Sequence, residues 1–218
     1  VDMIDQTCDL TPYRVVCGPM TYLLRDGFAE KVEAFVKGGG TYVATYISGW
    51  VNEENLAHMG GYPGPLRETL GIWDEETDAL DDKRQNSFTY QGTRYACKDV
   101  CALVHPENAQ VLSSYEQDFY AGMPALTKNS LGKGNAYYIA ARTDRDFLKA
   151  LYADITKEQH IEPLLESVPD GILCTERIGE NGRYLFIMMI PISAAIIVLA
   201  LKYMINIEDG SKLALDFT

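Results

Sequence analysis

Positive charge is scarce in this chain. Nineteen lysines and arginines stand against 31 aspartates and glutamates, a net charge of −12 over 218 residues. Binding a phosphate backbone needs clustered cations. Here they are scattered and form no stripe, which argues against a nucleic-acid partner. The acidity otherwise speaks for a soluble, self-repelling surface. Histidines number three, and His58 and His160 have no partner at metal-ligand spacing, so both are expected to be structural. The cysteines (Cys8, Cys17, Cys97, Cys101, Cys174) are odd in number and lack framework spacing, which argues against a disulfide scaffold. Cys97 and Cys101 stand four apart, but no second pair or histidine couplet completes a tetrahedral metal site. Buried, reduced thiols in a cytoplasmic protein are expected, with no metal and no cofactor. Residues 1–8 carry neither the basic nor the apolar stretch of a signal peptide.

Long apolar runs are also few. Tyr184–Ile205 has enough apolar residues to cross a bilayer of ~30 Å as a helix. Pro191 and Ser193 interrupt its middle and Lys202 its far end. β-Branched and flat side chains dominate it, which suits two buried strands joined around Pro191–Ala195. A module anchored in a membrane by this stretch is the less favoured reading.

What is present suits a globular protein. Hydrophobic residues make up 47% and charged residues 23%, enough for a real core. The length fits one ordinary domain and a small second one. Val1–Ile4 reads as a short strand and Tyr13–Pro19 as a buried one closed by Gly18-Pro19. Asp26 is placed to cap a helix over Gly27–Lys37, with Phe28, Val32, Phe35 and Val36 on one face and Gly38 at a left-handed C-cap. Thr41–Ile47 follows as a β-branched strand. Strand, helix and strand joined by three glycines predict a parallel βαβ unit. A second helix, Thr143–Gln159, spaces Phe147, Leu148, Leu151 and Ile155 helically. Together these give an open α/β layered domain over the first three quarters of the chain. Beyond "IEPLLESVPDG" the pattern turns to strands, Ile172–Arg177 and from Tyr184 on, with a hairpin turning at Asp209-Gly210. The boundary is expected near Glu162, giving domains 1–162 and 163–218.

Three candidate sites arise from residue types. "GGYPGP", within His58–Ile72, has the glycines of a phosphate loop but not the Lys-Ser/Thr that reaches phosphate and metal. Gly60 and Gly61 instead allow unusual backbone angles, Pro63 and Pro65 stiffen the chain, and Leu66–Leu70 is a short helix stopped by Gly71. A hydrolase of amidotransferase type would use Ser48 or Cys17 with His105 and Glu107, "HPE" supplying base and orienter. However, "YISGW" is no nucleophile elbow, and Cys17 has no nearby cation to activate it. Glycoside chemistry needs two facing carboxylates. The clusters Glu53-Glu54, Asp74–Glu76 and Asp81-Asp82 lie in polar segments expected to be solvated, so no pair is nominated.

Longer motifs carry more. "YRVVCGPMTYLL", "VEAFVKGGGTYVATYISGWVNEENLAHMGGYPGPLRETLGI" and "DFYAGMPALTKNSLGKGNAYYIAARTDRDFL" resemble the middle domain of family 42 glycoside hydrolases, the bacterial β-galactosidases, over about Val1–Ile155. The resemblance implies a class I glutamine-amidotransferase-like (flavodoxin-like) parallel sheet flanked by helices, followed by a small antiparallel β domain. It implies an assembly role, with no catalytic, cofactor or metal residues, in an enzyme that hydrolyses terminal β-D-galactosides in carbohydrate metabolism. The catalytic glutamates would lie on a TIM barrel that is absent here. The family's domain starts one βα unit earlier, so the sheet is expected to miss its first, interior strand and to leave two open edges. "RYLFIM" resembles the first strand of the family's C-terminal domain, but "MIPISAA" replaces the turn expected after it. The implied partners are the enzyme's own barrel and sister subunits of a homotrimer. Tyrosine and arginine are favoured interface anchors and a stiff loop loses little entropy on docking. These features mark Tyr62, Pro63 and Arg67, with Phe119 and Tyr120, as the expected contact surface. A brace within the domain is the competing role for the same loop.

Overall fold

A computed structural model describes residues 1–165, 168, 169, 171–179 and 182–189. The chain divides into two compact units, Val1–His160 and Ile161–Thr218.

The first unit opens with the expected βαβ. Strand β1 (Val15–Gly18), helix α1 (Phe28–Lys37) and strand β2 (Thr41–Thr45) follow in order, and β1 and β2 pair in parallel, Val16 beside Tyr42. α1 forms because Phe28, Val32, Phe35 and Val36 recur on one face, and all four are buried. Its ends differ in detail from the sequence expectation. Gly27, with φ 79°, takes the N-cap position, and no side chain caps the helix. The left-handed residue at the far end is Gly39 (φ 118°) and not Gly38. Gly40 N donates to Phe35 O at 3.0 Å and Gly39 N to Val36 O at 2.9 Å, the paired bonds of a Schellman motif.

Helix α2 (Arg67–Leu70) follows a turn of 3-10 helix at Gly64–Leu66 and ends at left-handed Gly71, as the Gly/Pro pattern predicts. Six strands come next: β3 (Ile72–Ala79), β4 (Asn86–Tyr90), β5 (Thr93–Pro106), β6 (Gln110–Ser114), β7 (Pro124–Leu131) and β8 (Gly134–Ile139). A short β9 (Ala141–Thr143) leads into helix α3 (Arg145–Glu158), capped by Asp144 accepting from Phe147 N at 2.8 Å.

Two mixed sheets result. The first has the order β1-β2-β8-β7-β6. β2 pairs with β8 in parallel, whereas β8–β7 and β7–β6 are antiparallel. The parallel sheet expected from the βαβ signal therefore stops at three strands. The second sheet, β3-β5-β4 with β9 also on β5, is antiparallel throughout. Sequence reading gave no strand there, because β3 reads Ile-Trp-Asp-Glu-Glu-Thr-Asp-Ala and finds its partner some thirty residues later. One core joins the sheets, with Tyr42, Phe88, Tyr115, Tyr138 and Phe147 among its most deeply buried side chains.

Val1–Ile4 is not a strand. Val1 and Met3 are fully exposed, and none of residues 1–4 pairs with a strand among the described residues. The first sheet is continuous, with no gap where an interior strand is missing. Among the described residues no strand pairs with the outer side of β1. The opposite edge is tied to the second sheet by a bridge from Phe88 to Tyr115 and by Ser113 Oγ donating to Thr89 O at 2.9 Å.

In the second unit β10 (Ile172–Gly179) and β11 (Gly182–Met189) form an antiparallel hairpin, Leu173 opposite Met188. The part of Tyr184–Ile205 beyond Met189 and the hairpin at Asp209-Gly210 lie outside the described residues. No helix among the described residues is long and apolar enough to cross a membrane.

Candidate functional site

The loop His58–Ile72 is locked by its own chemistry. Gly60 and Gly61 have φ of 97° and 102°, the region glycine enters without steric cost. A Cβ on Gly61 would run into the Trp73 indole. Asp74 N donates to Tyr62 O at 2.9 Å, tying the loop to β3. Arg67 closes it: Nη1 donates to Gly60 O at 2.9 Å, while Nε and Nη2 donate to Glu107 Oε2 and Oε1 at 2.9 and 2.5 Å. This fork fits the carboxylate on both oxygens and holds the Glu107 carboxyl below its ordinary range. The guanidinium carbon also lies 5.9 Å from the centre of the Trp73 ring.

Beside this clasp lies an aromatic ladder. Trp50 and Tyr62 stack at 4.9 Å and 17°, and Tyr22 tilts over Trp50 at 6.1 Å. Backbone bonds hold the three segments together: Trp50 N to Tyr22 O at 2.9 Å and His58 N to Trp50 O at 3.0 Å. Large apolar side chains stand out of the same loops into solvent: Met20, Tyr22, Leu56 and, at 95% exposure, Met59. Met20, Leu56, Met59 and Trp50 were missed in the sequence. Their signal was present, as isolated apolar residues in polar loops with no periodic partner to explain them.

The residues expected at the contact surface separate. Pro63 is buried, Tyr62 half-buried, and Arg67 committed to Glu107. Phe119 is 76% exposed, whereas its neighbour Tyr120 is 1% exposed and donates to Asp78 Oδ2 at 3.0 Å. The two rings touch edge to face at 5.0 Å.

The residues of the alternative hydrolase are not brought together. Ser48 is fully buried, and its Oγ donates to Thr45 O at 2.7 Å and accepts from Thr21 N at 3.2 Å. Cys17, expected as a buried thiol, is exposed. Partial desolvation by its neighbours still pushes its thiol up, away from the reactive thiolate, against a hydrogen bond with Tyr152. His105 Nε2 lies 2.6 Å from Glu75 Oε2, and its ring stacks on Trp73 at 4.9 Å. Glu107, its expected orienter, belongs to Arg67 instead. No hydrogen bond among the described residues joins a nucleophile to His105.

Among the acidic clusters, Glu53, Glu54, Asp81 and Asp82 are exposed as expected. Asp74 is not: it lies in β3 at 2% exposure and accepts from Tyr138 Oη at 3.0 Å. Burial raises its pKa to about 6, and the Tyr138 hydrogen bond pulls the other way. No group of three or more His, Cys, Asp or Glu among the described residues is placed to hold a metal ion.

Comparison with known proteins gives this surface its context. Residues 1–162 match the family described as beta-galactosidase trimerisation domain. The β-galactosidase BgaP of Planococcus sp. (strain L4) is 44% identical over 194 residues, covering 86% of this chain and 29% of that protein. The β-galactosidase Pbg of Clostridium perfringens is 43% identical over 196 residues, covering 86% and 28%. Among solved structures, the β-galactosidase from Bacillus circulans sp. alkalophilus superposes with a TM-score of 0.83 at 45% identity, covering 86% of this chain and 29% of that one. A catalytic mutant of Gan42B, a GH42 β-galactosidase from G. stearothermophilus, gives 0.80 at 37% identity, covering 84% and 27%. The chain thus spans under a third of the length of the relatives it matches.

Proposed function

The chain belongs to the family of β-galactosidase trimerisation domains found in family 42 glycoside hydrolases, and from that premise we propose that it is the non-catalytic assembly portion of a β-galactosidase. That enzyme would hydrolyse terminal β-D-galactosides by a retaining mechanism with two carboxylates on a separate barrel. The observation that carries the reading is the match over residues 1–162, in a unit whose candidate nucleophiles and base are each bonded elsewhere. The proposed partners are the enzyme's own barrel and two sister subunits, in the cytoplasm. The assembly domain is taken as 1–162 and the small β domain as 163–218. The parallel run β1-β2-β8 with α1 supports deriving the first unit from the class I amidotransferase fold, with β3–β5 and β9 as an added layer.

Tyr62, Pro63, Arg67, Phe119 and Tyr120 make up the proposed contact surface in two roles. Tyr62 and Phe119, with Met59, present apolar area; Pro63, Arg67 and Tyr120 fix the backbone beneath them. Rigid aromatic anchors on a stiff loop cost little entropy to bury. The test is made in the full-length enzyme that carries this domain. Met59→Asp combined with Phe119→Asp should lower the mass seen by light scattering from trimer towards monomer, with the thermal midpoint of the domain little changed. An unaltered trimer would remove these residues from the interface. Turnover of a chromogenic galactoside by the purified 218-residue chain would overturn the non-catalytic role itself.

A further inference from the structure

Cys97 and Cys101 lie in β5 and play no part in the assembly surface. Four residues of extended strand would hold two side chains about 13 Å apart. Their sulfurs are instead 3.9 Å apart. The cause lies between them. Asp99 has φ 65°, a region a non-glycine residue rarely enters, and the pairing of β5 changes at this point. β4 pairs up to Cys97, β3 begins at Val100, and the register with β9 slips between the two cysteines. This is a bulge. It is held by Leu80 N donating to Asp99 O at 2.9 Å and by Arg142 on Asp99 Oδ2 at 2.9 Å.

The bulge therefore brings two thiols face to face inside the core, both fully buried. The sulfurs are not equivalent. The two sulfurs share one weak hydrogen bond at 3.9 Å, and that contact, with the Tyr120 and Tyr115 hydroxyls beside it, holds the Cys101 thiol lower despite burial. The same contact and burial both push the Cys97 thiol up. Cys8, Cys17 and Cys174 have no second cysteine in hydrogen-bond range among the described residues.

We propose that Cys97 and Cys101 form a redox-modification site, a dithiol that hydrogen peroxide closes to a disulfide and an external dithiol reopens. One of the two sulfurs, as thiolate, attacks one peroxide oxygen, the O–O bond breaks, and the departing hydroxide takes a proton to leave as water, with that cysteine now a sulfenic acid. The second sulfur then attacks the oxidised one. The S–O bond breaks and hydroxide leaves with the second thiol's proton as another water. Two thiols have lost two electrons and the peroxide has gained them. Closing from 3.9 Å to the roughly 2 Å of an S–S bond asks each sulfur to move about 1 Å, within reach of side-chain rotation. Burial favours a small neutral oxidant over oxidised glutathione, and β9, which pairs with β5 at both cysteines, is the short strand whose local opening would admit it.

The test uses the full chain with Cys8, Cys17 and Cys174 changed to serine, treated with hydrogen peroxide under native conditions and weighed intact. The mass should fall by two hydrogens and return on adding dithiothreitol. Trypsin cleaves after Lys98, so the oxidised but not the reduced chain should yield two peptides joined through Cys97 and Cys101. That reading is also available in the unsubstituted chain if the triple variant folds poorly. Either single variant, Cys97→Ser or Cys101→Ser, should abolish the reversible loss of two hydrogens and leave the remaining cysteine as a sulfenic acid that dimedone traps. Two sulfurs that take up oxygens independently, or a bond that forms only in denaturant, would overturn the proposal.

Discussion

Asp74 shows how one residue can read one way in sequence and act another way in the fold. Within "WDEETD" it looks like part of a solvated acidic run, and Glu75 and Glu76 are indeed exposed. Alternation along β3 turns Asp74 inward, onto the Tyr138 hydroxyl, and periodicity could not show this because the run is polar on both faces. The consequence can be measured. Its folded pKa of about 6 lies above the 3.8 of a free aspartate, so the folded state holds the proton more tightly. Stability is therefore greatest below about pH 4 and falls as pH rises through 6, by about 3 kcal/mol for this group alone. Asp74→Asn should remove that slope. Urea midpoints of the two proteins, compared from pH 4 to 7, should converge at the acid end and separate with the variant ahead near neutrality. Parallel curves would mean that Asp74 is ionised throughout.

At the scale of elements, what the sequence revealed were segments that carry their own pattern. α1 and α3 declare an apolar face within four turns, and β1 and β2 are β-branched runs set off by glycine. The second sheet does not declare itself. Its strands pair across loops, its bulge at Asp99 breaks alternation in β5, and its inward face depends on α3 for cover. Phe147 is that cover: fully buried, it meets Phe88, Tyr90 and Tyr95 edge to face at 4.8, 5.7 and 5.4 Å. Phe147→Ala should cost about 3 to 5 kcal/mol in urea unfolding, with the aromatic near-UV circular dichroism weakened. A loss below about 1 kcal/mol would mean that α3 and the second sheet do not depend on one another. The loop His58–Ile72 was legible as rigid but not as a clasp, since the Arg67–Glu107 fork joins residues forty apart.

Across the whole molecule the two sheet edges of the first unit are unequal. One is closed against the second sheet, while among the described residues no strand pairs with the outward-facing amides and carbonyls of β1. Such a row is a template for another extended segment. The isolated chain should therefore self-associate with rising concentration, and dilution series by light scattering should show it. A mass that stays monomeric at every concentration would mean that water alone serves this edge well enough. Two copies joined about a twofold axis would set these two rows against one another. Growth through this edge is thus self-limiting: once two copies meet there, among the described residues nothing of it is left to template a third.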